Sequence, residues 1–220
     1  MPVVLVEIER NTDPSSIDAV ARFMKGMSSV ARCIVVTTEA TAAMSLSPDA
    51  DRREIMWLSD FTEAETREFL QKTKFASNTS TSPLAESEVR EVENFVIKQL
   101  GCRPSTLHDL ITEAANPDYR AWIENRITVE KRKLKSMIKA NPDCAKLVSA
   151  ALEYDEVDGS MMEDLIGMPL QDIAAVAMKK YHVFSYNPVT GTVFFHSKVM
   201  YNAAKQWKEE ERKKSSWFFF

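Results

Sequence analysis

The stretch Val3-Val4-Leu5-Val6-Glu7-Ile8-Glu9, at the beginning of the sequence, decides the fold. Its β-branched and apolar residues form a nearly continuous run, which is typical of a strand buried on both faces of a parallel sheet. A second run of this kind, at residues 33–38, follows a segment whose apolar residues recur at helical spacing. Strand, helix and strand in this order predict a right-handed parallel crossover, and therefore an α/β beginning to the chain.

Helices are predicted for most of the chain beyond this crossover. Residues 54–58 have the pattern of a third short strand, and Thr62 and Glu65 have the spacing of a capping box, which predicts a helix to about residue 73. The polar stretch 76–83 has no periodicity and is predicted to be a linker. Further helices are expected at 86–100, after Pro104 and at 119–138, and Gly101 is the expected end of the first of these.

The last third of the sequence has a different order of elements. Predicted helices at 144–152, 161–165 and 170–179 are followed by predicted strands at 181–186 and 192–195, and a closing helix is expected at 197–211. Three helices followed by a hairpin is the winged-helix order. The fold class predicted from the sequence is therefore α/β followed by all-α, with a winged-helix domain near the C-terminus.

Composition restricts the classes of partner and compartment. The formal net charge of −4 gives no reason to expect nucleic acid or an anionic membrane as the main partner. The three cysteines, Cys33, Cys102 and Cys144, are far apart and lack metal-ligand spacing, which favours a reducing compartment. No apolar stretch reaches the roughly 20 residues of a membrane-spanning helix. We expect a soluble, intracellular protein of the cytoplasm or nucleus without a membrane span.

Two acids are the first candidates for chemistry. Glu7 and Glu9 are two residues apart in a strand, so both carboxylates are expected on one side, near the carboxyl end where open α/β sheets bind ligands. One carboxylate would hold Mg²⁺ through water, and the other would orient a water molecule that attacks a γ-phosphate. The alternative is that both acids mark the solvated end of a strand.

Two further segments, the end of the second predicted strand and a turn between two helices, add polar groups to the predicted site. Thr37 and Thr38 end the second predicted strand, where a hydroxyl would lie beside the acids, although threonine is also common in strands. The turn that contains Gly101, Arg103 and Pro104 joins two helices, and Arg103 would reach a phosphate as a bidentate donor. The alternative for this turn is a helix cap whose arginine pairs with a nearby acid.

These features together resemble a known family of ATPases. The resemblance is carried by residues 2–9, the strand at 33–38, residues 53–65 and the turn Gly101-Cys102-Arg103-Pro104. In this order they are similar to the archaeal-type ATPase family, in the STAND branch of the AAA+-related P-loop NTPases. The resemblance extends over nearly the whole chain, and its specificity comes from the order of loosely matching elements.

The resemblance implies a domain organisation and a nucleotide site. It implies part of a P-loop NTPase α/β domain at 1–75, the linker at 76–83, a helical lid at 84–140, a winged-helix domain at 141–211 and a tail at 212–220. Glu7 and Glu9 resemble the Walker B acids, with Glu7 at the metal, and Thr37 or Thr38 resembles the sensor residue. The turn with Gly101, Arg103 and Pro104 resembles the nucleotide-contacting turn of the lid. The implied cofactors are ATP and Mg²⁺.

Two departures from the family pattern weaken the expectation of catalysis. The sequence contains no G-x-x-x-x-G-K-[ST] loop, because its glycines, at positions 26, 101, 159, 167 and 191, are never closely spaced. The acids are glutamates separated by Ile8. We therefore expect a truncated or degenerate ATPase that acts as a regulatory or protein-interaction module, with oligomers possible.

Two other functions remain open at the level of sequence. One is a nucleic-acid-binding adaptor whose phosphate contacts come from Lys131, Arg132, Lys133 and Lys135, although such a cluster is more often a solvated helix face. The other is an active ATPase that obtains a phosphate loop from an upstream segment.

Overall fold

The fold of the protein is given by a computed structural model, which describes residues 2–8, 14–37, 59–78, 84–114 and 118–217. This part of the chain is mainly helical, with one small parallel sheet and one small antiparallel sheet. The predicted strand at 54–58 lies outside the described residues, as do Glu9 and Thr38.

The N-terminal unit contains the parallel crossover that the sequence predicts. Strand β1 (Val3–Ile8) pairs in parallel with β2 (Arg32–Thr37), and α1 (Pro14–Met27) connects them. Alternate side chains of both strands face α1, where Ile8 and Ile17 are buried. The other face exposes apolar side chains within the described part of the chain, with Leu5 67% exposed. The expectation of burial on both faces is therefore not met by the described residues.

A helical unit follows. Its helices are α2 (Glu63–Lys72), α3 (Phe75–Asn78), α4 (Glu86–Leu100), α5 (Pro104–Glu113) and α6 (Tyr119–Ala140). Helix α4 has the bounds predicted from the sequence. The capping box that predicted α2 is also present, since the Thr62 hydroxyl accepts from the Glu65 amide and the Glu65 carboxylate accepts from the Thr62 amide. Leu70, Val96 and Leu107 belong to the core that these helices share.

The predicted linker at 76–83 differs from the structure at its beginning. Residues 75–78 form α3, and both Phe75 and Ala76 are buried in the core of the helical unit. The prediction relied on the polar residues that follow Ala76, and it missed the anchoring effect of Phe75, whose ring meets the edge of Tyr119. Residues 79–83 lie outside the described part of the chain.

The C-terminal unit combines short helices with a small antiparallel sheet. Its elements are α7 (Cys144–Tyr154), β3 (Glu156–Asp158), α8 (Gly159–Ile166), α9 (Leu170–Ile173), a π-helical turn (Ala174–Lys180), β4 (Phe184–Asn187) and β5 (Thr192–Phe195). The sheet order is β3-β5-β4 with antiparallel pairs. The sequence predicted the hairpin of β4 and β5, and it did not predict β3 or the π-helical turn.

Helix α10 (Lys198–Trp217) connects the helical and C-terminal units. Val199 and Ala203 lie in the core of the helical unit, whereas Met200, Ala204 and Trp207 lie in the core of the C-terminal unit. Helix α6 is shared in the same way, because its first half contributes to one core and its last turns to the other. Helix α6 ends at Ala140, at the boundary predicted at 140/141, but α6 and α10 pack along each other and contribute to the cores on both sides of it.

Among the described helices, none is long and apolar enough to cross a membrane.

Candidate functional site

The carboxyl end of the parallel sheet holds only part of the predicted acid site. Glu7 is exposed and lies opposite Val36, and Ile8 lies opposite Thr37. Paired residues of parallel strands point to the same face, and successive residues point to opposite faces. Thr37 therefore shares the α1 side of the sheet with Ile8, whereas Glu7 points to the other side. Of the two threonines expected beside the acids, Thr37 therefore lies on the opposite face of the sheet from Glu7, and Thr38, like Glu9, lies outside the described residues.

The described residues around Glu7 do not fit a nucleotide–metal site. The side chains beside it on the same sheet face, Leu5 and Val36, are apolar. Within the described ranges, no group of three His, Cys, Asp or Glu side chains is placed to hold a metal ion. A hard cation such as Mg²⁺ requires several oxygen ligands, and one exposed carboxylate does not supply them. The described residues around Glu7 therefore do not form a site for Mg²⁺ and ATP.

The turn of Gly101, Cys102, Arg103 and Pro104, here called the junction turn, is the most closely packed of the predicted site elements. Gly101 ends α4 with φ of +79°, a conformation that side chains rarely adopt. A Cβ atom at this position would lie 2.6 Å from the Cβ atom of Lys198 in α10. Glycine is required here both by the backbone conformation and by the close approach of α10, while Pro104 begins α5.

Arg103 connects the junction turn to the C-terminal unit. Its Nη1 atom donates a hydrogen bond to the backbone carbonyl of His196, between β5 and α10. The Phe61 amide donates to the Cys102 carbonyl at 3.0 Å, which holds the segment before α2 against the same turn. Desolvation at this junction raises the pKa of Asp60, and the positive charge of Arg103 acts in the opposite direction. The junction turn thus binds two segments that are distant from it in sequence, one before α2 and one between β5 and α10.

The His196 residue is itself held by the C-terminal sheet. Its Nδ1 atom lies 2.8 Å from the Ser185 hydroxyl, and its amide donates to the Val183 carbonyl at 2.9 Å. The carbonyl that accepts from Arg103 therefore belongs to a residue fixed by both its side chain and its backbone. The sequence marks Arg103 as a candidate but contains no signal for its partner, the His196 carbonyl, because a backbone carbonyl 93 residues away has no sequence pattern.

Three of the four basic residues in the cluster of α6 form ion pairs with glutamates of the protein. Lys131 and Lys135 both bind the carboxylate of Glu210 in α10, at 2.9 and 2.7 Å, and Lys133 binds Glu130 at 2.7 Å. Hydrogen bonds from Lys135 and Lys131 lower the pKa of Glu210 to about 2. Lys131 and Lys135 hold α6 against α10, and Lys133 pairs within α6, which differs from the phosphate contacts that a nucleic-acid adaptor would need from these lysines.

No protein-family model matches the chain, and comparisons with curated proteins and with solved structures found no match. Among the predicted site residues, the structure brings Gly101, Arg103 and Pro104 together at the junction turn, and it leaves Glu7 and Thr37 on opposite faces of the parallel sheet.

Proposed function

We propose that this protein is a regulatory or protein-interaction module related to degenerate STAND/AAA+-like ATPases. The observation that carries the proposal is the junction turn. The residues that resemble a nucleotide-contacting turn are engaged by the protein itself, since Arg103 donates to the His196 carbonyl and Gly101 packs against Lys198. Arg103 bound in this way links the helical unit to the C-terminal unit of the same chain.

The order of elements supports the ATPase relationship. A parallel crossover is followed by helices, a turn with glycine and proline, and a three-stranded sheet preceded by short helices. The proposal of a winged-helix domain is supported by the sheet order β3-β5-β4, with helices between β3 and β4. These features agree with the resemblance, but the sequence contains no phosphate loop, and the nearest described neighbours of Glu7 on its sheet face are apolar.

The proposed module acts through the coupling of its helical and C-terminal units. Helix α10 lies in both cores, and Glu210, Asn202 and the junction turn fasten it to α6 and α4. The proposed role of α10 is to couple a movement of one unit to the other. The apolar side chains exposed on the N-terminal sheet, with Val3 61% and Leu5 67% exposed in the described structure, favour a protein as the partner.

A titration with fluorescent ATP and Mg²⁺ tests this proposal. For the full chain we expect no saturable binding below millimolar ATP, because the described residues offer no cradle for the phosphates. The variant Glu7→Gln should behave like the parent chain, as should Glu91→Gln, a matched change at an exposed position of α4. Micromolar affinity that Glu7→Gln abolishes and Glu91→Gln preserves would show an ATP site and would refute the proposal.

A further inference from the structure

A second basic surface lies on α10, on the side turned away from α6. The residues Lys198, Tyr201, Lys205 and Lys208, here called the α10 basic face, are spaced by three or four positions and so form one stripe. The buried positions of α10, which include Met200, Ala204 and Trp207, point to the protein interior. Since Lys198 and Lys205 are exposed, their charges are directed to the solvent.

The lysines of the α10 basic face differ in their partners from six other helical lysines of this protein. Lys72, Lys131, Lys133, Lys135, Lys146 and Lys214 each lie within ion-pair distance of an acid. Within the described residues, neither Lys198 nor Lys205 forms such an ion pair. Their ammonium groups lie instead over the ring of Tyr201, with Nζ at 4.2 and 5.2 Å from the ring centroid.

Tyr201 holds these two positive charges in place. Its ring meets Phe195 of β5 edge-on, with centroids 5.8 Å apart, so the ring is fixed by the C-terminal sheet. A cation over an aromatic face is attracted by the ring without losing its charge, and it remains able to bind an anion. The Cα atoms of Lys198 and Lys205 lie about 10 Å apart along the helix axis, both ammonium groups converge on the Tyr201 ring, and Lys208 follows about one turn further on.

The charges near the beginning of α10 have the same sign. Arg103 contacts the His196 carbonyl, two residues before Lys198, and the N-terminus of a helix carries a partial positive charge. Asp60 lies beside Arg103, and Glu209 follows Lys208 directly in the sequence. Between them, residues 198–205 of α10 include two lysines and no acid, so the net charge of −4 is unevenly distributed along the chain.

We propose that the α10 basic face binds the phosphodiester backbone of nucleic acid without sequence specificity. Lysines act as point charges toward phosphates, and a row of them along a straight helix fits a linear polyanion. The face carries no apolar side chain besides the half-buried Tyr201, so it offers a membrane nothing to insert. This activity goes beyond the proposed regulatory role and uses lysine ammonium groups outside the acid site, of which Lys198 approaches the junction turn only through the base of its side chain.

Fluorescence anisotropy with the full chain tests this proposal. The probes are a labelled 20-nucleotide single strand and a labelled 20-base-pair duplex, titrated between 50 and 200 mM salt. We expect micromolar binding at the lowest salt, with a slope of about −2 to −3 in log affinity against log salt for roughly three phosphate contacts. Comparison of the two probes shows whether the backbone of a single strand or of a duplex is preferred.

Two double variants distinguish binding at the α10 basic face from binding that depends on overall charge alone. The double variant Lys198→Gln, Lys205→Gln should weaken binding at least tenfold and reduce the salt slope. The double variant Lys72→Gln, Lys146→Gln removes the same charge from exposed ion pairs and should change affinity less than twofold. Tyr201→Phe should bind like the parent chain, since the ring remains, whereas Tyr201→Leu should bind more weakly.

Three outcomes would overturn the proposal. The first is no binding of either probe at 50 mM salt. The second is an equal loss of affinity in the two double variants, with both folded by circular dichroism, which would assign binding to overall charge. The third is binding to polyglutamate or to vesicles that contain phosphatidylserine with an affinity equal to or higher than that for nucleic acid. None of these outcomes depends on ATP binding, so the proposal fails or stands separately from the regulatory function.

Discussion

The N-terminal crossover and the units joined by α10 both contain apolar segments, but they bury them to very different extents. In the crossover, Ile8 of β1 and Ile17 of α1 are buried between sheet and helix, and Leu5 on the opposite face of the sheet is exposed. Around α10, two cores meet along one helix, and Leu107 and Met200 are completely buried. An apolar run therefore indicates a strand or helix, whereas the packing of other elements against it decides how much it stabilises the fold.

The largest expected difference between the two regions comes from glycine substitution. Gly101→Ala should destabilise the protein by about 3 kcal/mol, because the positive φ disfavours a side chain and the new Cβ would meet Lys198 at 2.6 Å. Gly26→Ala, in the last turns of α1 with no neighbour within 4 Å of the added atom, should instead stabilise by about 0.5 kcal/mol. Urea denaturation followed by circular dichroism measures both.

Equal effects at the two glycines would contradict the close approach of α10 to the junction turn. Gly101→Asn should be destabilised like Gly101→Ala, because φ of +79° with ψ of −157° is essentially restricted to glycine and asparagine adds the same Cβ atom. A normal stability of Gly101→Asn would contradict both the backbone conformation and the close approach.

A matched pair of leucines tests the difference in burial. Leu107→Ala should cost about 2 to 5 kcal/mol, because it opens a cavity in the core of the helical unit. Leu5→Ala removes the same atoms from a side chain that is 67% exposed in the described structure, and it should change stability by less than about 0.5 kcal/mol. Thermal unfolding of both variants, compared with the parent chain, gives the two values.

A large cost for Leu5→Ala would show that the outer face of the parallel sheet is covered in solution. The dependence of that cost on protein concentration would then distinguish a second copy of the chain from a contact within it.

Much of the architecture could be predicted because its signals are local. The periodicity of residues 86–100 predicted α4, and Gly101 predicted where it ends. The capping-box spacing of Thr62 and Glu65 predicted the beginning of α2. Strand β3 could not be predicted in the same way, since Glu156, Val157 and Asp158 contain a single apolar residue. It forms only because β5 offers it an edge, which is a property of the folded sheet.

The candidate site was predicted less well, for a related reason. The role of Arg103 depends on the His196 carbonyl, and the neutralisation of Lys131 depends on Glu210, a residue 79 positions away. Charge clusters in sequence do not show which of their members are paired. A signal for the α10 basic face did exist in the spacing of Lys198, Tyr201 and Lys205, but the same spacing also occurs on solvated helix faces.

The smallest expected effect concerns the contact of α6 with α10. The folded protein lowers the pKa of Glu210 from 4.5 to about 2, so its ionised form stabilises the fold. This contribution is complete above about pH 5 and is lost progressively as the pH falls toward 2, where the carboxylate becomes protonated. Because Glu210 is partly exposed, the contribution should stay below about 1 kcal/mol at neutral pH.

The variant Glu210→Gln isolates this contribution. At pH 7 it should be less stable than the parent chain, and the difference should shrink as the pH is lowered from 5 to 3, measured by urea denaturation at each pH. Glu211→Gln, which removes an exposed i,i+3 pair with Lys214 in the same helix, should show no such convergence. If the two variants follow the same pH profile, Lys131 and Lys135 do not act together on Glu210, and α10 is held to α6 by its apolar contacts alone.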